Sequence, residues 1–218
     1  MKSILMLLIV LFLLIRPGLQ AQVFISEIMQ NPSAVSDNQG EWIEIFNAGG
    51  IDVNINGWII SDNDADLHTI DNGGDLFISA GDFLVLGRNG DTSTNGGVQI
   101  HYVYGNDITL ANGADELILS DASMVEQDRI EYDGGPNWPD PSGASMVFTG
   151  LSSDDNNQYS NWGVSTLREG NYIGGSGDSG SPGTNGSDQS LPVELSAFSA
   201  CGLDNQVKLQ WTTQSELD

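Results

Sequence analysis

The sequence predicts an all-β protein, an antiparallel sandwich or barrel, from three observations. Its apolar residues fall in short runs rich in β-branched and aromatic types, and almost every run is bounded by Gly, Asn or Asp. Turn signals recur about every 8–14 residues, with no long helical period between them. A single cysteine, Cys201, leaves no intrachain disulfide, so stability must come from a hydrophobic core.

In order, the runs are VFISEIM (23–29), EWIEIF (41–46), GWIISD (57–62), DLFISA (75–80), DFLVLG (82–87), VQIHYVYG (98–105), ITLA (108–111), ELILSD (116–121) and DRIEYD (128–133). Each is short enough for one strand, and ITL-ANGADE-LIL reads as a hairpin with a glycine-containing loop. Residues 22–150 suffice for one domain with its own core. After Gly150 the chain turns polar and aromatic in LSSDDNNQYSNW, and then nearly pure Gly, Ser, Asn and Asp. Residues 171–190 therefore read as a linker. The last segment, 191–218, holds two strands around a turn, VELSAFSA and QVKLQWTT. Two strands do not make a stable unit, so it reads as the incomplete start of a second β domain.

The N-terminus has the marks of a secretory signal peptide over residues 1–21. Lys2 precedes an apolar run at residues 4–15, followed by Pro17-Gly18 and a small residue at Ala21, where cleavage is expected. Twelve apolar residues cannot cross a hydrocarbon core of about 30 Å as a helix. The expected location is secreted or cell-surface, with no membrane insertion once the leader is removed. The chain carries a formal charge of −24, and the leader holds Lys2 and Arg16 but no acid, which leaves −26 on the remainder. Only Arg88, Arg129, Arg168 and Lys208 remain there as fixed cations. Such a surface repels phosphate backbones and anionic lipid, so no nucleic-acid partner is expected. It attracts cations, and it also keeps a protein soluble.

Several motifs carry a family resemblance when taken in order. EWIEIFNAGGIDVNINGWIISD is followed by LFISAGDFLVLGRNG, ANGADELILSD, VEQDRIEYDGGPNWPDPSGASMVFT, NWGVS and finally SPGTNG. Together they resemble the bacterial lamin-tail domain over about residues 22–186. The resemblance implies an immunoglobulin-like β-sandwich over 22–170, with a closing Ser-Pro-Gly-Thr-Asn motif at 181–185. It implies a non-catalytic extracellular module for binding, adhesion or presentation of other domains, with an unknown protein or polysaccharide as ligand. Such modules also resemble parts that accompany secreted nucleases and phosphoesterases, so an accessory role to a catalytic domain beyond residue 218 stands as the alternative. The segment LPVELSAFSA…VKLQWTTQSE resembles the start of the β-sandwich that precedes type IX sorting tails in Bacteroidota.

Candidate site residues are few. Trp42 and Trp58 suit either core packing or ligand stacking. Glu27, Glu41 and Glu44 form a carboxylate set fit for acid–base work, although in alternating strands Glu27 and Glu41 would face water and Glu44 would cap neighbouring backbone groups. His68 and His101 have no nucleophile motif beside them and read as strand histidines. One cysteine and two scattered histidines make zinc a poor fit. No cofactor is required, and calcium is the one metal the pattern suggests. Asp62, Asp64 and Asp66 alternate in a turn backed by Asn63 and Asp71, but Leu67 and Gly73 replace the glycine and glutamate of an EF-hand loop. A second oxygen-rich turn runs Asp154-Asp155-Asn156-Asn157. A calcium-dependent carbohydrate binder would add an exposed aromatic, Trp138, Tyr159 or Trp162. Asn185-Gly186-Ser187 fits a glycosylation acceptor, a pattern of little meaning in a bacterial linker.

Overall fold

The structure, a computed structural model, describes residues 22–150, 155–166, 168–173, 177–184, 195–203 and 206–213. The expected signal peptide, Asp154 and the 185–187 acceptor lie outside these residues. In chain order the strands are β1 (Val23–Met29), β2 (Trp42–Asn47), β3 (Val53–Asn54), β4 (Ile59–Ser61), β5 (Leu67–Thr69), β6 (Phe77–Ile78), β7 (Phe83–Gly87), β8 (Tyr102–Val103), β9 (Ala114–Ser120), β10 (Glu126–Asp133), β11 (Met146–Phe148), β12 (Trp162–Val164), β13 (Leu195–Leu203) and β14 (Gln206–Thr213). One helical turn, Asp37–Gly40, lies between β1 and β2.

A six-stranded sheet runs β12-β11-β1-β2-β7-β8, and a four-stranded sheet runs β10-β9-β4-β5. All pairs in these sheets are antiparallel except β7 with β8. Ile28, Ile43, Ile45 and Leu86 of the first sheet share one core with Ile60, Leu117, Leu119 and Ile130 of the second. Each such side chain contributes about 1.5–3 kcal/mol on burial. The fold is the immunoglobulin-like antiparallel β-sandwich that the strand pattern and the resemblance imply. Strands β13 and β14 pair with each other in a separate two-stranded sheet.

In β1 and β2 every residue is buried, because the first sheet is covered on both faces. One face meets the main core. The other carries a second cluster of Met29, Trp42, Val85 and Val98, with Ile100 and Tyr172 against it. A bulge between Ile25 and Glu27 resets the register so that Glu27 stands opposite Glu44.

The run ITLA (108–111) does not form the expected strand, and the hairpin drawn from it is not made. Ile108 and Leu110 are buried as alternation requires, but carboxylates take the backbone donors a neighbouring strand would have used. Thr109 N–H donates to Asp66 at 2.6 Å, Leu110 N–H to Glu41 at 3.2 Å and Ala111 N–H to Asp115 at 2.7 Å. The hairpin that does form joins β9 to β10. Its turn is held by the Asp121 carboxylate, which accepts from Ser123 N–H and Val125 N–H, and Met124 takes φ 62° there. Strands β3, β5, β11 and β12 were not among the expected runs.

Candidate functional site

The carboxylate set is buried, which corrects the reading of Glu27 and Glu41 as water-facing. Glu27 is 0 % exposed, Glu44 1 % and Glu41 2 %. Alternation in a strand sends a residue to the opposite face, and here that face is covered too. Glu27 accepts from the Ser145 hydroxyl, from Ser181 N–H at 2.8 Å and from the Ser181 hydroxyl at 2.7 Å. Glu44 accepts from the Ser26 hydroxyl at 2.7 Å and from Gly183 N–H at 2.5 Å. Its backbone donor thus comes from 139 residues away and not from a neighbouring group.

The donors on the far side belong to the closing motif, in the segment read as linker. Residues 177–184 instead form a strap across the first sheet. Ser145 N–H donates to the Ser179 carbonyl, Ser179 N–H to Gly143, Glu169 N–H to Gly180 and Asn171 N–H to Pro182. Asp178, also buried, accepts from Ser33 N–H, the Ser33 hydroxyl and Ala34 N–H. The Arg168 guanidinium lies 3.7 Å from the centre of the Tyr172 ring and donates to the carbonyls of Asp178 and Gly96. A Gly/Ser/Asp-rich stretch has too little apolar surface to fold by itself, but it docks where buried carboxylates need donors. Gly180 fits because a Cβ there would stand 2.7 Å from the Tyr172 hydroxyl and 3.1 Å from Glu27 Oε1.

Burial pushes Glu27 up to about 7, against the lowering effect of the Ser145 and Ser181 hydrogen bonds. Burial, and then the neighbouring Glu27, hold Glu44 well above the usual carboxylate range, opposed by Ser26 and Gly183. Two carboxyls side by side in a dry setting cannot both ionise cheaply. Acid–base chemistry would need one of them to meet substrate, and the strap covers both.

Glu41 is a different case. Its Oε2 lies 2.8 Å from Arg88 and accepts from Leu110 N–H, and both partners of the ion pair are buried. Its Oε1 is buried without a hydrogen-bond partner among the described residues. Burial therefore pushes Glu41 up to about 7 even beside a guanidinium.

The histidines also serve the fold. His68 Nδ1 lies 2.8 Å from the Asp107 carboxylate and Nε2 2.8 Å from the Tyr102 hydroxyl, which ties β5 of one sheet to β8 of the other. His101 Nδ1 accepts from Val85 N–H, and burial holds its pKa below the ordinary value. Trp42 and Trp58 are core residues, of the second and the main cluster respectively.

The structure does not gather the carboxylates of Asp62, Asp64 and Asp66 around a common point. Asp62 Oδ1 accepts from Asp64 N–H and Asp66 N–H, both at 2.9 Å, and Asp66 reaches Thr109. Among the described residues no group of three or more His, Cys, Asp or Glu converges so that it could hold a metal ion. In the second oxygen-rich turn Asn156 donates to the Ile25 carbonyl and to Asp128, and Asn157 accepts from Glu131 N–H. Nor do Trp138 and Trp162 offer an exposed platform. Both are buried with Phe148, and the Trp162 indole N–H donates to the Asn156 carbonyl. Of the three candidate aromatics, Tyr159 is exposed.

The strap went unseen in the sequence, although signals for it were present. VFISEIM and EWIEIF are apolar at both alternating sets of positions, the pattern of strands covered on two faces. A glutamate within such a run needs a donor from elsewhere, and the Ser-Pro-Gly-Thr motif supplies it.

No curated protein matches the chain. A family model for the lamin tail domain matches residues 18–134, which takes in β1 to β10. Strands β11 and β12 lie beyond the match and complete the same sheet as β1. A lamin-tail sandwich is in general a non-catalytic module. The match spans more than half of the chain, which belongs to the lamin tail domain family.

Proposed function

We propose that this protein is a secreted, non-catalytic module of lamin-tail type that binds a protein or polysaccharide outside the cell and presents the β segment C-terminal to its sandwich. The observation that carries this reading is the fate of its titratable side chains. Glu27, Glu44, Glu41, His68 and His101 are each tied to fixed partners that hold strands or the strap in place. The leader supports export, and the separate β13–β14 sheet after the strap supports a presenting role.

The test uses the purified whole chain against phosphodiester, glycosidic and peptide substrates and against panels of soluble polysaccharides and extracellular proteins. Saturable binding without turnover is expected. A hydrolytic activity that disappears in Glu27→Gln, Glu44→Gln or His68→Gln overturns the reading. Export is checked by mass spectrometry of the protein from the medium or cell surface, where Gln22 should be the first residue. An intact Lys2 there defeats the secretion reading.

A further inference from the structure

We propose that Glu27 and Glu44 form a pH-governed clasp on residues 177–184. While the two carboxyls share at least one proton the strap is held on the sheet. When both ionise it lifts and uncovers the face that carries Ser26, Trp42 and Ser145.

The geometry sets this up in three ways. The two glutamates are register partners across β1 and β2, and like charges directly opposite destabilise a strand pair. Both are buried, so water does not screen them. Moreover, three of the hydrogen bonds they accept come from the strap itself, from Ser181 N–H, the Ser181 hydroxyl and Gly183 N–H. Repulsion between the carboxylates is therefore relieved by moving the strap, whose departure lets water reach both.

Among the described residues the surrounding groups leave the pair without a direct counter-ion. Arg168 gives Nη1 to the Asp178 carbonyl, Nη2 to the Gly96 carbonyl and its face to Tyr172, and its Nε is buried without a partner among the described residues. The Asp178 carboxylate is engaged by Ser33 and Ala34. Tyr172 is pushed above its ordinary range by burial and then by Glu27, so it stays neutral. Val85 stands opposite Glu44 on β7, and behind it His101 accepts a hydrogen bond and is held below its usual value. Glu41, which directly precedes β2, faces Arg88 and Leu110.

The sign of the pH effect is set by the same contacts. With the strap down, Glu27 is pushed up to about 7 and Glu44 is raised as well. With the strap lifted both relax toward an ordinary carboxyl value of about 4.3. The closed state thus binds more protons between those limits. Closure is fully favoured below the ordinary carboxyl range and weakens as pH rises through about 7. None of this depends on the identity of the module's ligand.

The experiment is amide hydrogen exchange with mass spectrometry on the whole chain, corrected for intrinsic rates, at about pH 5.5 and about pH 8.5. Protection of the peptide covering 177–184 should fall roughly tenfold or more at the higher pH, while β9 keeps its protection. In Glu44→Gln the fall should be several-fold smaller than in wild type, because the like charge opposite Glu27 is gone while the amide oxygen still accepts from Gly183, and what remains comes from the buried Glu27 alone. A fall in Glu44→Gln equal to wild type overturns the proposal. Should that variant not fold, wild type in low salt and in about 1 M NaCl decides. A fall confined to the strap and unchanged by salt supports the clasp. A fall erased by salt, shared by β9 or absent altogether overturns it.

Discussion

The strand glutamates and the turn aspartates are the same functional group put to opposite uses. Glu27 and Glu44 sit in the interior and draw a distant segment onto themselves. Asp62 and Asp66 sit on a turn and stiffen it, with Asp62 accepting from two amides inside the turn and Asp66 from the neighbouring Thr109. In a chain with 30 acids and 6 Lys or Arg, most carboxylates cannot have a cation. The difference between the two regions teaches that backbone N–H groups take that role in both. Burial then decides whether the result is a local turn or a long-range closure.

The comparison is challenged most strongly at a buried carboxylate that does have a cation. Arg88→Met should cost about 3–5 kcal/mol near pH 8, because it leaves Glu41 buried and uncompensated. Near pH 5 the loss should shrink, since Glu41 is pushed up to about 7 and takes a proton instead. Denaturant melts at both pH values check this, and equal losses would mean that Glu41 does not titrate in that interval. Gly180→Ala comes next, at about 1–3 kcal/mol, because the new methyl meets Tyr172 and Glu27. Ser181→Ala should lose about 1–2 kcal/mol by removing one hydroxyl bond to Glu27 while the N–H bond stays.

For wild type, the melting temperature should decline as pH rises through about 7, the direction set by carboxyls held above their ordinary range. A stability that rises over that interval would break the assignment of Glu27 and Glu41. The smallest effect is expected in the acidic turn. Asp64→Asn should stay within about 0.5 kcal/mol of wild type, and Ca²⁺ should shift the melt no more than NaCl of matched ionic strength. A calcium-specific shift lost in Asp64→Asn would show that the turn rearranges into a cage, and the contrast between the two regions would then need redrawing.

Much of the sandwich was legible because strands β1, β2, β7, β9 and β10 carry dense apolar runs between turn residues. The features that stayed hidden share one cause, a partner remote in sequence. At residues 108–111 the apolar alternation is real, but Asp66, Glu41 and Asp115 satisfy the backbone, and no local pattern reveals a carboxylate arriving from 43 or 69 residues away. β11 is only three residues long, and its strand character comes from pairing with β1. Both aspects of the candidate site were misread for the same reason. Glu27 looked solvated because its cover lies in a stretch whose composition resembles a linker, and Glu41 because Arg88 and Leu110 reach it from 47 and 69 residues away. Trp138 and Trp162 looked available because nothing in the local pattern announces that they pack on each other, with Phe148 against Trp162.

The strap also bears on how the chain reaches its fold. Ser181 and Glu27 are 154 residues apart, and Gly183 and Glu44 are 139 apart. Contacts that join the ends of a domain are late events, since the loop they close must be ordered first. During synthesis β1 and β2 emerge long before the strap, so an early sandwich would hold Glu27 and Glu44 without their strap donors, with water and, at Glu44, the Ser26 hydroxyl in their place. Full burial of the first sheet therefore waits on the docking of Ser-Pro-Gly-Thr, a step that follows the pairing of β1 with β2.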